Sequence, residues 1–166
     1  MNGQLPAPVQ ARDSIVIDAP PAAVWRLIAD SRALMKWGPP VQYVEVIDEP
    51  EGVGSRRRIH AKMGKRRGQF LERRLVHDEN QRMAFQIVEE TFGLFRFLEG
   101  VGSIMEIEPA GPGQTRLVWS FFHRPHGILG RILHRPVILR QQRSNRLRAL
   151  ASLKAYAEHG TERPEP

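Results

Sequence analysis

The sequence predicts an α+β domain in which a curved antiparallel sheet closes over a long C-terminal helix. Three observations carry this reading. From Val41 to Phe122 apolar residues recur with a period of two, in runs separated by short turns. Such short connections exclude the crossovers that parallel strands need, so the runs form a meander. From Pro136 onward the period becomes helical and holds to His159.

The elements follow in order. Residues 12–18 read as a first strand, with Ile15 and Ile17 on one face and Ser14 on the other. Pro20 and Pro21 stop it, and Asp18 is placed to cap the helix that follows. Residues 22–30 carry Val24, Leu27 and Ile28 at helical spacing. Residues 31–37 form a second short helix that brings Leu34 and Trp37 to one side, and Gly38-Pro39-Pro40 ends it. The meander then runs through residues 41–47, 55–62, 67–77, 83–91, 101–108 and 115–122. The run from Pro109 to Gly113 is its clearest turn. With the first strand added at an edge, the sheet has seven strands.

Residues 123–135 form a Gly- and Pro-containing connection with an apolar patch, Ile128, Leu129, Ile132 and Leu133. Pro136 then opens the last helix, whose apolar stripe is Leu139, Leu147, Leu150, Leu153 and Ala157. Its C-terminal half is the cleaner stripe and is expected to anchor the sheet. The domain organisation is a flexible arm over residues 1–11, a single domain over 12–159 and a disordered tail over 160–166.

Composition narrows the class. The chain has 166 residues, 41% hydrophobic and 26% charged, which suits one domain with a real core. No apolar run approaches the ~20 residues of a membrane span, and residues 1–12 lack the features of a signal peptide. The absence of cysteine removes disulfides, thiol nucleophiles and Cys-ligated metals, and fits a cytoplasmic location. The net charge is +7, compatible with nucleic acid, anionic lipid or an anionic small molecule.

Several phrases, in this order, resemble the START-like (SRPBCC) superfamily, and within it the polyketide cyclase/dehydrase-like branch. They are Ile17-Asp18-Ala19-Pro20 through Val24-Trp25-Arg26-Leu27-Ile28, then Leu34 and Trp37 before Gly38-Pro39. Gly52-Val53-Gly54 follows, then Thr115-Arg116-Leu117-Val118-Trp119, and last Leu150, Leu153 and Tyr156. The match covers residues 12–158. The resemblance implies a helix-grip fold with a cavity between sheet and helix. It implies lipids, sterols, quinones, polyketides or hormones as guests, with some members enzymes and many carriers. No universal catalytic motif comes with it.

The candidate site residues are Trp37, Trp119, Phe121, Leu139, Arg143 and Leu147. The three aromatic residues are candidate walls. Arg143 falls inside the stripe of Leu139, Leu147 and Leu150, with Arg146 close to it, and an inward charge there must be paired or meet a ligand. Its planar fork suits a carboxylate, phosphate or enolate. Glu72 and Arg74 share a strand face with Phe70 and Val76; Glu89 shares one with Met83, Phe85 and Ile87, and Glu106 with Ile104. Any of these carboxylates that points inward is a candidate partner or general base. His123, His126 and His134 have metal-compatible spacing but no carboxylate or cysteine framework, so no metal and no cofactor are expected. They are assigned instead to a mobile mouth loop. The glycine pairs at 52–54 and 100–102 open no helix and read as turns or bulges, not dinucleotide fingerprints.

The function expected is binding or transport of a small hydrophobic ligand, neutral or anionic, such as a lipid or polyketide, in the internal cavity. The alternative is a polyketide cyclase or dehydratase using the same cavity, with Arg143 steadying an enolate. Nucleic-acid binding by Arg140, Arg146 and Arg148 is not expected, because acidic residues intersperse the strands and no reading motif is present. The patch from Ile128 to Leu133 is a lid, or a place for transient contact with an anionic membrane. Oligomeric state is left open.

Overall fold

The computed structural model describes residues 5–160. Its seven strands are β1 (Val9–Ile17), β2 (Val41–Val46), β3 (Arg56–Met63), β4 (Arg66–Asp78), β5 (Arg82–Glu90), β6 (Leu98–Gly111) and β7 (Gln114–Pro125). They form one antiparallel sheet in the order β1-β7-β6-β5-β4-β3-β2, so consecutive strands pair from β2 to β7 and β1 closes the far edge. The expected fold class holds: a curved seven-stranded sheet grips a C-terminal helix, with two short helices after the first strand.

Those helices are α1 (Pro21–Ala29) and α2 (Leu34–Trp37), joined by a 3-10 turn at Ser31–Ala33. Asp18 does not cap α1 as expected. Pro20 holds the cap position with no side-chain bond, and the Asp18 carboxylate accepts from Gln114 Nε2 at 2.6 Å instead. Pro21 sits in the first turn, where its missing N–H costs nothing.

The region around Pro136 differs from expectation. Residues 123–125 still belong to β7, and helix begins again at once as α3 (Gly127–Leu133). A π-helical turn, His134–Leu139, carries the chain into α4 (Arg140–His159). Pro136 therefore lies inside a continuous helical run and does not open it. A proline there has no N–H and crowds the preceding turn, and a widened turn relieves both faults. α3 lies close on the start of β6: a Cβ on Gly130 would stand 2.4 Å from the Phe97 carbonyl oxygen.

The concave face holds the main core. Leu117 pairs with Ile15 and Ile107, and Met105 with Trp119 and Met83, so these side chains share one face. Ala149, Leu150 and Leu153 of α4 close it together with Val24, Ile28 and Trp37. Full burial of a leucine contributes about 1.5–3 kcal/mol. A second cluster of Val76, Ala84 and Ile104 sits on the convex face, where Leu5 and Leu75 pack against it. This cluster explains a second departure from expectation. Residues 5–8 are laid on the sheet, with Ala7 only 4% exposed and Pro6 and Pro8 carbonyls accepting from Arg124 Nη1 and the His123 N–H, each at 3.2 Å. Residues 9–11 are strand. Residues 1–4 and the tail from 161 lie outside the described residues; Gly160, at φ 62°, ends α4.

Leu153 is fully buried, whereas Leu147 is 45% exposed. Leu153→Ala is expected to cost about 2–5 kcal/mol and Leu147→Ala less than about 1 kcal/mol, read from urea unfolding of the two variants beside the parent chain.

Candidate functional site

Where α4 crosses the far edge of the sheet, the interior changes character. Asp13 and Trp119 are direct partners across β1 and β7, and Ala11 faces Phe121 in the next inward pair. Arg146 descends from α4 onto them. Its Nε and Nη2 donate to Asp13 Oδ2 at 2.7 and 2.6 Å, and its side chain is 2% exposed. The guanidinium also lies over Phe121, 5.1 Å from the ring centre. Phe121 packs on Trp119 at 5.4 Å, and Trp119 meets Trp37 edge-on at 6.0 Å. Trp37 is fixed by its Nε1, which donates to the Leu27 carbonyl at 3.1 Å. A row of three aromatic rings thus runs from the end of α2 to a buried cation. Trp119 and Phe121 remain only half-buried.

The expected site residues separate here. Trp37, Trp119 and Phe121 come together as a wall. Arg143 does not face the interior: its side chain is 70% exposed and its Nε stands 3.6 Å from Asp13 Oδ1. Leu147 is exposed as well, and Leu139 is half-buried in the π turn. The inward line of α4 is Arg146, Ala149, Leu150 and Leu153. Arg146 is accordingly the inward cation, and it is not a member of a basic outer face with Arg140 and Arg148.

Among the described residues the buried Nδ1 of His123 has no partner, and neither do two buried donors nearer α2: Trp119 Nε1 and Arg146 Nη1. Both belong to groups that flank Phe121. Burying an N–H without an acceptor costs about 1–3 kcal/mol, so each of these donors is suited to an oxygen acceptor. The buried Oε1 of Gln142, one turn before Arg146, is also without a partner.

Beyond Phe121 on the same strand face lies His123, fully buried, with its Nε2 2.9 Å from Nε2 of His134 in the π turn. One ring donates and the other accepts. Burial, then the neighbouring His134 and Arg146, lower the His123 pKa from its ordinary 6.5 to about 4. Burial and Arg135 lower that of His134 too. These two histidines are therefore packed into the interior, not carried on a mobile loop; His126 turns away toward Glu99 at 3.5 Å.

At the other end of the concave face two arginines enclose Phe85, Arg57 at 3.6 Å and Arg74 at 4.9 Å from its centre. Arg57 pairs with Glu72 at 2.8 Å, and Arg74 with Glu51 at 2.6 Å and with the Ala29 carbonyl at 3.0 Å. Glu72 does point inward, but it is committed to Arg57. Val76 and Glu89 do not share this face, because register shifts between Leu71 and Glu72 and between Arg74 and Val76 turn the ladder over. Glu89 is exposed, and Glu106 lies 3.5 Å from Arg12.

Two crevices flank the domain. One, of about 370 Å³, is lined by Arg12, Asp13, Ser14, Glu108, Arg116 and Val118. The other, of about 410 Å³, is lined by residues including Ile87, Phe95, Leu98 and His126. It lies where the β5–β6 ladder stops at Gln86 and Gly102 and the strands part.

A sheet gripping one long helix, with aromatic walls and a few buried polar groups between them, defines the helix-grip class of hydrophobic ligand-binding folds. The chain belongs to the family described as polyketide cyclase / dehydrase and lipid transport, whose model matches residues 8–158. A Thermus thermophilus protein is 26% identical with a TM-score of 0.71, over 90% of this chain and 97% of that one. A Streptomyces aromatase/cyclase is 16% identical at a TM-score of 0.69, over 94% and 100%. A START superfamily protein from Mycobacterium smegmatis is 16% identical at 0.71, over 93% and 100%. The last two likenesses show the fold alone. No curated protein matches the chain. Among the described residues no helix is long and apolar enough to cross a membrane.

Removing Arg146 leaves the Asp13 carboxylate buried without its cation. Arg146→Met is expected to cost about 3–5 kcal/mol, and Arg143→Met about 0.5 kcal/mol or less, by denaturant unfolding.

A histidine whose folded pKa is depressed binds fewer protons folded than unfolded. Its neutral form stabilises the fold above the unfolded value, and that contribution is lost as pH falls from 6.5 toward about 4. The unfolding midpoint of the parent chain should drop across that window, and His123→Gln should flatten the drop. An equal slope in both would remove His123 as the cause.

Proposed function

We propose that this chain binds a small hydrophobic molecule with an oxygen-bearing end, held between α4 and the concave sheet, as a cytoplasmic carrier or sensor. The observation that carries the reading is the pair of buried donors without partners, Trp119 Nε1 and Arg146 Nη1, on the two groups that flank Phe121. A carbonyl or carboxylate oxygen would satisfy them, and the Trp37–Trp119–Phe121 row would take the apolar body. Half-burial of Trp119 and Phe121 leaves that row open to a guest. Arg146 supplies the fork once expected of Arg143, with Asp13 holding its other edge.

The binding reading is favoured over turnover by the state of the acids and bases. The inward carboxylates Asp13, Glu72 and Glu51 are each paired with an arginine. A carboxylate already held by an arginine is poorly placed to take a proton from a substrate. The enzyme reading keeps one specific support, the His123–His134 pair one step beyond Phe121. It would place proton transfer there on a bound polyketide-like substrate, and needs turnover that His123→Gln abolishes while binding persists.

The test is native mass spectrometry of the purified protein, followed by titration with an anilinonaphthalene sulfonate probe. Trp119→Phe keeps a ring but removes the indole N–H. It should weaken the probe by about two- to tenfold, the worth of one hydrogen bond. An unchanged affinity, with a normal unfolding midpoint, would move the ligand away from Trp119.

A further inference from the structure

The outward side of α3 is apolar, and its surroundings are cationic. Ile128, Leu129 and Ile132 are 78%, 63% and 63% exposed, and Val137 in the π turn is 53% exposed. The opposite side of the helix is committed inward, through Gly130 against Phe97 and His134 against His123. Arg131 and Arg135 are exposed within this same segment, with Arg124 before it and Arg140 and Arg143 after it. From Pro109 to Ala157 the sequence has no aspartate or glutamate. Of the carboxylates nearby on other elements, Asp13 is held by Arg146 at 2.6 Å, and Glu99, half-exposed, lies 3.5 Å from His126.

We infer that the segment from Gly127 to Leu139 docks on the surface of an anionic lipid bilayer. Branched aliphatic side chains on one side of a short helix enter the interface to the depth of the headgroups, and the arginines beside them meet lipid phosphates. The two signals are needed together, since neither a few aliphatic residues nor a few charges hold a protein at a membrane alone. The charge selects the partner: a rim in which arginines outnumber acids complements an anionic surface and repels cationic ones. The absence of aromatic residues from the exposed face disfavours single-stranded nucleic acid, which binds by stacking. The inference stands whether or not the interior takes a ligand.

The experiment is flotation of the full chain with vesicles of phosphatidylglycerol and phosphatidylcholine, against vesicles of phosphatidylcholine alone, at two salt concentrations. The chain should float with the anionic vesicles only, and less at high salt. Arg131→Gln and Arg135→Gln should each weaken binding about fivefold. Ile128→Ser with Ile132→Ser should abolish flotation while leaving the unfolding midpoint unchanged, because both side chains are exposed. Equal binding to both vesicle types, or none, overturns the inference. So does a serine variant that still floats. A dimer in analytical ultracentrifugation that the serine variant dissociates, without flotation of the parent chain, would assign the face to a second copy instead.

Discussion

The ion pair between Arg146 and Asp13 decides how the last helix lies on the sheet. The C-terminal half of α4 is seated by leucines, which need only be excluded from water. Its other half meets the sheet through a cation and a carboxylate, which need geometry. Two donors of one guanidinium on one carboxylate oxygen fix both the depth and the rotation of the helix at that point. With the rotation fixed, the guanidinium lies over Phe121, Phe121 holds Trp119, and Trp119 stands edge-on to Trp37. The aromatic row is thus registered from the charged end.

The concave face is bounded by charge at both ends and apolar in the middle. Arg57 and Arg74 close one side around Phe85, each with its own glutamate, and Arg146 closes the other. The two ends differ in how many elements their cations tie together. Arg74 has a backbone carbonyl, a carboxylate and the His77 ring as partners, which ties α1, the loop after β2 and the sheet into one unit. Burial still pushes its pKa down, against Glu51. Arg146 serves one carboxylate and keeps Nη1 unmatched. Among the described residues each of these two cations keeps one buried nitrogen without a partner, Nε of Arg74 and Nη1 of Arg146, and the one at Arg146 belongs to the side chain that lies over the half-buried Phe121.

Much of the fold was legible because the sheet is largely regular. Period-two alternation placed each strand to within a few residues, and Pro-Ala-Gly-Pro-Gly fixed the last hairpin. What was not legible were the places where a single residue changes the count. Register shifts in the β4–β5 ladder turned Val76 and Glu89 to the other face, and nothing in their composition marks them. Around Pro136 a widened turn joined two helices where proline suggests a boundary. The candidate site was half legible: aromatic residues on an inward strand face declare themselves, so the placing of Trp119 and Phe121 there could be read. Arg146 was passed over because an apolar stripe is drawn through leucines. Leu139 and Leu147 pulled that stripe sideways toward Arg143, while the true line is headed by a polar residue. The nearest signal was Asp13, an acid on the inward face of the first strand, which required a cation opposite.

The strand order has a consequence for how the chain reaches this structure. β1 has a single neighbour, β7, and its ladder joins residues about a hundred positions apart. Until β7 has been synthesised, the first strand has nowhere to pair and its backbone groups must remain with water or find a wrong partner. The hairpins from β2 to β7 can form early, each from neighbours in sequence, but the edge and the final helix must wait for one another. Closing so long a loop makes assembly a late, slow event. During synthesis the chain therefore passes through a stage with a sheet already formed, an unsealed concave face and a leading strand still unplaced, when its exposure to aggregation and to chaperones is greatest.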